Sequence, residues 1–136
     1  MSQNSPSVYA QAIQYQLDTL LTIPVYANFN RNFATEPSFL TWQLRHIHQP
    51  VYTGTVQNIK GIDRPIFQMS VFSQDMQTAF NISNTILQSL HGYSGQFGGS
   101  SGFWVSKADV DWLYNTYDNA VGLHQIIMDC TLDIPT

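Results

Sequence analysis

His46 and His48 stand two apart in the segment SFLTWQLRHIHQ. On an extended chain that spacing puts both imidazoles on one side, as a pair of metal ligands requires. A metal centre also needs further ligands and a surrounding layer of hydrogen bonds to orient them. His91 and His124 lie in separate segments, with nothing local that ties them to the pair. Asp109 and Asp111 repeat the spacing with carboxylates. Two carboxylates can hydrolyse a glycosidic bond, but only at a set separation across a cleft. Alternating charge on the wet side of a strand leaves the same trace. Cys130 falls on the apolar side of the run IIMDCTLDI, where a thiol packs as a small hydrophobe rather than serving as a nucleophile. The stretch GQFGGSSG lacks the GK[ST] ending of a phosphate loop and leads into a strand pattern, so it reads as a flexible loop. There is no G-x-S-x-G elbow. Trp42, Tyr52, Trp104, Trp112 and Tyr114 suit a sheet core or an interface better than a stacking platform for bases or sugars. No group of residues meets the needs of a catalyst. The expectation is a non-enzymatic chain with a structural role and with no metal or cofactor.

Composition narrows the class further. The chain has 136 residues, enough for one domain with one proper core. Hydrophobic residues make up 43% and charged residues 10%, against a usual charged fraction of about 25%. A surface poor in charge loses little on desolvation, which suits a protein that assembles. The net charge is −4 and the five basic residues are scattered, so no stripe exists to neutralise phosphates. Sequence-specific nucleic-acid binding is therefore not expected. No apolar run approaches the roughly 18 residues of a membrane span, so no membrane partner is expected. The opening MSQNSPSVYAQ lacks the basic and apolar parts of a signal peptide, and synthesis in a cytosol-like compartment is expected.

The elements that must position these residues can be read from period. SPSVYAQAIQYQLDTLLTI repeats at helical spacing through Val8, Ala12, Ile13, Leu17, Leu20 and Leu21, and Pro24 stops it. VYANF reads as a short strand and NRNFATEP as a loop. In SFLTWQLRHIHQ, strict alternation puts Leu40, Trp42, Leu44, His46 and His48 on one face. VYTGTVQN is a weaker strand, and IKGID reads as a turn formed by Gly61 and Asp63. Residues 64–73 alternate again and run straight into a helix over 74–91, capped by Ser73 or Asp75 and closed by Gly92. FWVSKADVDWLYN holds one strand, with Val110, Trp112 and Tyr114 on one face. TYDNAVG is a turn, and LHQIIMDCTLDI is the clearest strand of all. The expected fold is α+β: a single two-layer domain, mainly antiparallel sheet, with two helices covering one face.

This order resembles the tail-completion or tail-terminator family of long-tailed bacteriophages. The resemblance spans nearly the whole chain. It rests most on the strand–helix pair FQMSVFS to LQSLHGYSG and on the approach YD…GLHQIIMD to the last strand. The short turn between Gln57 and Arg64 and the glycine-heavy 92–102 loop depart from the family pattern. The resemblance implies a virion protein at the tail–head junction. It would form a ring, commonly a hexamer, on the head-proximal end of the tail tube. It would end tube polymerisation and offer a joining surface to the head connector or neck. Its partners would be itself, the tail-tube protein and the connector, with DNA passing through the ring. Contacts would come from the loops 29–37, 53–63 and 92–102, with Asn30, Arg31, Phe33, Gly54, Lys60, Asp63, Tyr93, Gln96 and Phe97 as candidates. The rival readings are another neck or tail component of similar fold, such as a head–tail joining protein or a tube subunit, and a small α+β enzyme or ligand-binding module. The second rival requires a pocket lined by His46, His48 or the Asp109/Asp111 pair. A secreted adhesin-like domain is a third, which the missing signal peptide disfavours.

Overall fold

The first helix, α1 (Pro6–Leu20), opens with a proline in its first turn, where the missing N–H costs nothing. It ends at Leu21, whose backbone is extended and whose N–H closes on the Leu17 carbonyl. Tyr9, Ala12, Ile13 and Leu17 form its buried stripe. The computed structural model describes residues 5–31, 33–48, 51–53 and 60–135. Among these, no helix is long and apolar enough to cross a membrane.

The strands are β1 (Val25–Ala27), β2 (Ser38–His48), β3 (Val51–Thr53), β4 (Lys60–Ser73), β5 (Gly95–Phe97), β6 (Phe103–Val105), β7 (Lys107–Asp118) and β8 (Leu123–Pro135). The main sheet runs β1-β2-β4-β8-β7, with β3 also paired to β4. Among the described residues, only the β1–β2 pair is parallel. β4 is central, and from Arg64 to Ser73 it is held between β2 and β8.

Register fixes which side chains share a face. Trp42 stands beside Met69, and Met69 beside Met128. One row higher, Leu40, Val71 and Ile126 align in the same way. This face meets α1 and the second helix, α2 (Met76–Leu90), in one continuous core. The helix side of that core includes Ile13, Leu17, Ala79, Ile86 and Leu90. Each leucine or isoleucine among them contributes about 1.5–3 kcal/mol on burial. The architecture is the expected α+β fold with both helices packed on one face of a mainly antiparallel sheet. The opposite face carries ion pairs: Arg45 with Asp129 at 3.0 Å, Arg64 with Asp133 at 3.1 Å and Lys107 with Asp109 at 3.2 Å.

The turn from sheet to helix is short. Ser73 ends β4, and its Oγ accepts the N–H of Asp75 at 3.2 Å. Asp75 then caps α2 by accepting from the Thr78 N–H at 3.0 Å and the Thr78 hydroxyl at 2.8 Å. At the other end the chain leaves through Gly92 with φ 80°, a left-handed exit that glycine allows.

Several expectations need correction. IKGID is not a turn: β4 already begins at Lys60, and Asp63 pairs across the sheet with Ile134. Residues 116–118 of TYDNAVG belong to β7, which leaves a shorter turn before β8. FWVSKADVDWLYN holds two strands, because Phe103–Val105 pairs with β5 and Lys107–Asp118 with β8. The glycine-rich loop is folded: it supplies β5 and a 3-10 turn over Gly99–Ser101 and packs on α1. Two register shifts also reverse expected faces. A bulge at Arg45 pairs His46 with Ile66 and Ile47 with Pro65. This turns the histidines away from the core and Ile47 toward it. A bulge at Leu113 likewise sets Trp112 opposite Met128 and Tyr114 opposite Ile127, so these two no longer share a face.

Candidate assembly surfaces

The loop after β1 begins at Asn28, whose φ of 66° bends the chain out of the sheet. Phe29 follows and is 62% exposed, with its ring 6.2 Å from that of Phe33. Arg31 is exposed and Phe33 half-buried. Asn30 is buried, and its amide donates to Glu36 Oε2 at 3.2 Å. Glu36 also accepts from the Tyr26 hydroxyl. That hydrogen bond, with some burial added, raises the phenol above its usual value. Asn30 therefore holds the loop closed from inside, and its side chain does not face a neighbour as expected.

The 53–63 region gives a second correction. Asp63 is buried, with 1% of its surface exposed, and accepts a hydrogen bond from the Tyr9 hydroxyl of α1. It joins helix to sheet and is not a surface contact. Lys60 opens β4 opposite Thr53. Gly54 lies outside the described residues.

The 92–102 region divides. Gln96 is exposed, and its amide donates to the Gly99 carbonyl at 2.8 Å. Tyr93 is half-buried, and its hydroxyl donates to the Gln96 carbonyl. Phe97 is fully buried, stacked on Phe103 with ring centroids 6.0 Å apart. As an anchor of the β5–β6 pair it cannot be an exposed contact. Of the expected residues, Arg31, Phe33, Tyr93 and Gln96 retain accessible side-chain surface. They sit on two separate loops.

Alternation and loop composition missed a larger apolar surface. From Asp111 to Tyr117 every side chain of β7 is exposed. Leu113 is 45% and Tyr114 51% exposed. β7 is the last strand of the sheet. Its outer edge is covered at Ala108 and Val110 by hydrogen bonds with His91, Gly92 and Tyr93, and beyond Val110 it has no partner strand among the described residues. Trp112 is braced from the helix side by Phe80, with rings 6.1 Å apart. The signal was present in the sequence as three successive large side chains, Trp112-Leu113-Tyr114, which no two-sided strand can place on one face.

The sites proposed by chemistry fare differently. The His46 and His48 rings stack with centroids 6.3 Å apart. Among the described residues, no three of His, Cys, Asp and Glu come close enough to hold a metal ion. A groove of about 480 Å³ between α1 and β1 is lined by Ala10, Gln14, Tyr15, Asp18, Ala27 and Trp42, so neither the histidines nor the Asp109/Asp111 pair faces it. Cys130 is buried, and burial, with Asp109 and Asp129 adding to it, pushes its thiol up to about 12.

No family model matches the chain, and no curated protein does. Solved structures do. A chain in the virion of a native gene transfer agent particle aligns with TM-score 0.58 and 13% identity, over 95% of this chain and 92% of that one. A second solved chain aligns with TM-score 0.63 and 14% identity, over 97% and 96%. The sheath/tube terminator of an extracellular contractile injection system, in its extended state, aligns with TM-score 0.50 and 8% identity. That match covers all of this chain and 58% of the other. What they share with this chain is the fold: two helices on one face of a long-stranded antiparallel sheet.

Proposed function

We propose that this protein is a non-enzymatic structural component of a phage-type particle, and that it closes the head-proximal end of the tail tube. The observation that carries this reading is the fold shared, over nearly the whole chain, with a gene transfer agent virion chain and with a sheath/tube terminator. In this reading the single domain forms a ring, commonly a hexamer. The ring ends tube polymerisation and presents a surface to the head connector or neck. Its partners are other copies of itself, the tail-tube protein and the connector, and it resides in the virion at the tail–head junction. The physical requirements are a stiff subunit and exposed surface at its margins. The central strand β4, paired along both sides, supports the first. The exposed loop after β1 and the exposed edge β7 support the second. Another neck or tail component of the same fold is the second reading, because the likeness to the virion chain supports a particle component without favouring one position within it.

Imaging of particles assembled with and without this protein tests the reading. Tails of abnormal length or lacking a defined upper end, with unjoined heads, support a terminator. Tails of normal length that fail to join heads favour a neck component. Normal, joined tails would overturn both.

A further inference from the structure

We propose that subunits meet head to tail through the two opposite edges of the sheet, with Phe29, Arg31 and Phe33 beside β1 docking on Asp111, Leu113 and Tyr114 of β7 in the next copy. This rests on the ring reading above and names the surfaces that build the ring.

Both margins are exposed and differ in kind. β1 and β7 end the strand order on opposite sides. Edge strands usually carry lysine, proline or a cover that prevents pairing. Residues 112–117 of β7 carry no charge and no proline. The β1 side instead offers a projecting aromatic, Phe29, supported by Phe33.

Charge identifies the occupant as a second copy. Arg45, Arg64 and Lys107 are each bonded to a carboxylate of their own chain. Among the described residues, the Arg31 side chain has no ion pair or hydrogen bond, and neither has the Asp111 side chain. Asp111 also stands directly opposite Asp129 across the β7–β8 ladder. Like charges so placed repel, and Asp129 already accepts both bonds from Arg45. A cation arriving from outside relieves that repulsion. The chain's own unpaired guanidinium sits beside the aromatic knob on the opposite margin. A contact between two different patches is heterologous, so it repeats from copy to copy, and it closes as a ring when the rotation between successive copies returns to the first. A symmetric β7–β7 contact would leave both Arg31 and Asp111 unpaired.

Crosslinking tests this. The double variant Phe29→Cys with Leu113→Cys is incorporated into particles, and is also purified alone at high concentration. Both preparations are treated with a flexible bis-maleimide and resolved under denaturing conditions. The expected result is a ladder extending beyond dimer, with each single-cysteine variant remaining monomeric. Wild type is the blank, because its one thiol is buried. In the double-cysteine background, Arg31→Glu and Asp111→Arg should each lower the crosslinked fraction about two- to fivefold, and their combination should restore it. No ladder in either preparation, or dimers from a single-cysteine variant, overturns the proposal. The two readings fail separately. If the terminator reading fails, tails are normal without the protein, yet the purified protein still gives a ladder. If only these surfaces are wrong, tails depend on the protein and no ladder appears.

Discussion

The Tyr9 hydroxyl of α1 donates a hydrogen bond to the buried carboxylate of Asp63 on β4, joining residues 54 positions apart. The bond fixes where the first helix crosses the sheet. Tyr9 is fully buried, and its ring meets Phe103 edge-on at 5.3 Å, so the same side chain also touches the β5–β6 pair. Tyr9→Phe keeps the ring and removes one donor from a buried carboxylate. The expected loss is about 1.5–3 kcal/mol. Urea titration should show a lower midpoint with an unchanged slope. An unchanged midpoint would show that the bond contributes nothing.

Asp75 gives a pH dependence of known sign. The Thr78 hydroxyl, and then the Thr78 N–H, favour its ionised form and lower its pKa. A carboxyl lowered in the folded state stabilises the fold above its unfolded value. That contribution is lost as the pH falls through the lowered folded value. Asp75→Asn retains a good cap but has no charge to titrate. Its stability should therefore fall less steeply than wild type on acidification below pH 4. Asp75→Ala should be weaker than Asp75→Asn at every pH. Denaturant midpoints measured from pH 2 to 7 decide both points, and parallel curves for wild type and Asp75→Asn would refute the linkage.

The two helices, the antiparallel sheet and the strand-to-helix unit were legible because each has an unbroken period. Loss of phase accounts for much of the rest. One extra residue at Arg45 and one at Leu113 shift the alternation without any glycine or proline to announce it. That moved His46 and His48 off the core face and separated Tyr114 from Trp112. Asp63 read as a turn former because buried aspartates are rare without a partner. Its partner, Tyr9, lies too far away in sequence to be seen. The candidate loops were chosen by composition, which cannot tell an exposed Arg31 from a buried Asn30 one residue earlier. Phe97 failed for the same reason, since glycine-rich sequence suggests mobility while here it permits close packing.

Gly98 shows that packing directly. Its φ is 84°, and a Cβ there would lie 2.5 Å from the Ala12 Cβ and 2.7 Å from the Ala12 Cα. Its N–H donates to Gln16 Oε1 at 3.0 Å, so the turn is held to α1 by contact and by hydrogen bond. Gly98→Ala should cost about 1–3 kcal/mol through overpacking, with the strain of a left-handed alanine added. Amide exchange should speed up at residues 97–105 and in the first half of α1, while the β4–β8 ladder keeps its protection. Uniform loss of protection would mean that this hairpin is not a separable unit.

Cys130 lies at the centre of the sheet, between Phe67 of β4 and Val110 of β7. Burial raises its thiol from 9.0 to about 12, with Asp109 and Asp129 adding to the shift. The thiolate is the reactive form, and reagent must also reach it, so native protein at pH 8 should resist a disulfide reagent. The sign of the linkage follows from the raised value. The neutral thiol contributes its full stability below the unfolded pKa, and that contribution falls away as the pH rises from about 9 through about 12. Cys130→Ala should lack this component of the alkaline loss, at the cost of a small cavity. Labelling rates should match global unfolding measured by denaturant under the same conditions. Labelling that outpaced unfolding by a hundredfold would mean that the edge strand β7 opens on its own, and the rigid subunit margin that the head-to-tail contact requires would then be absent.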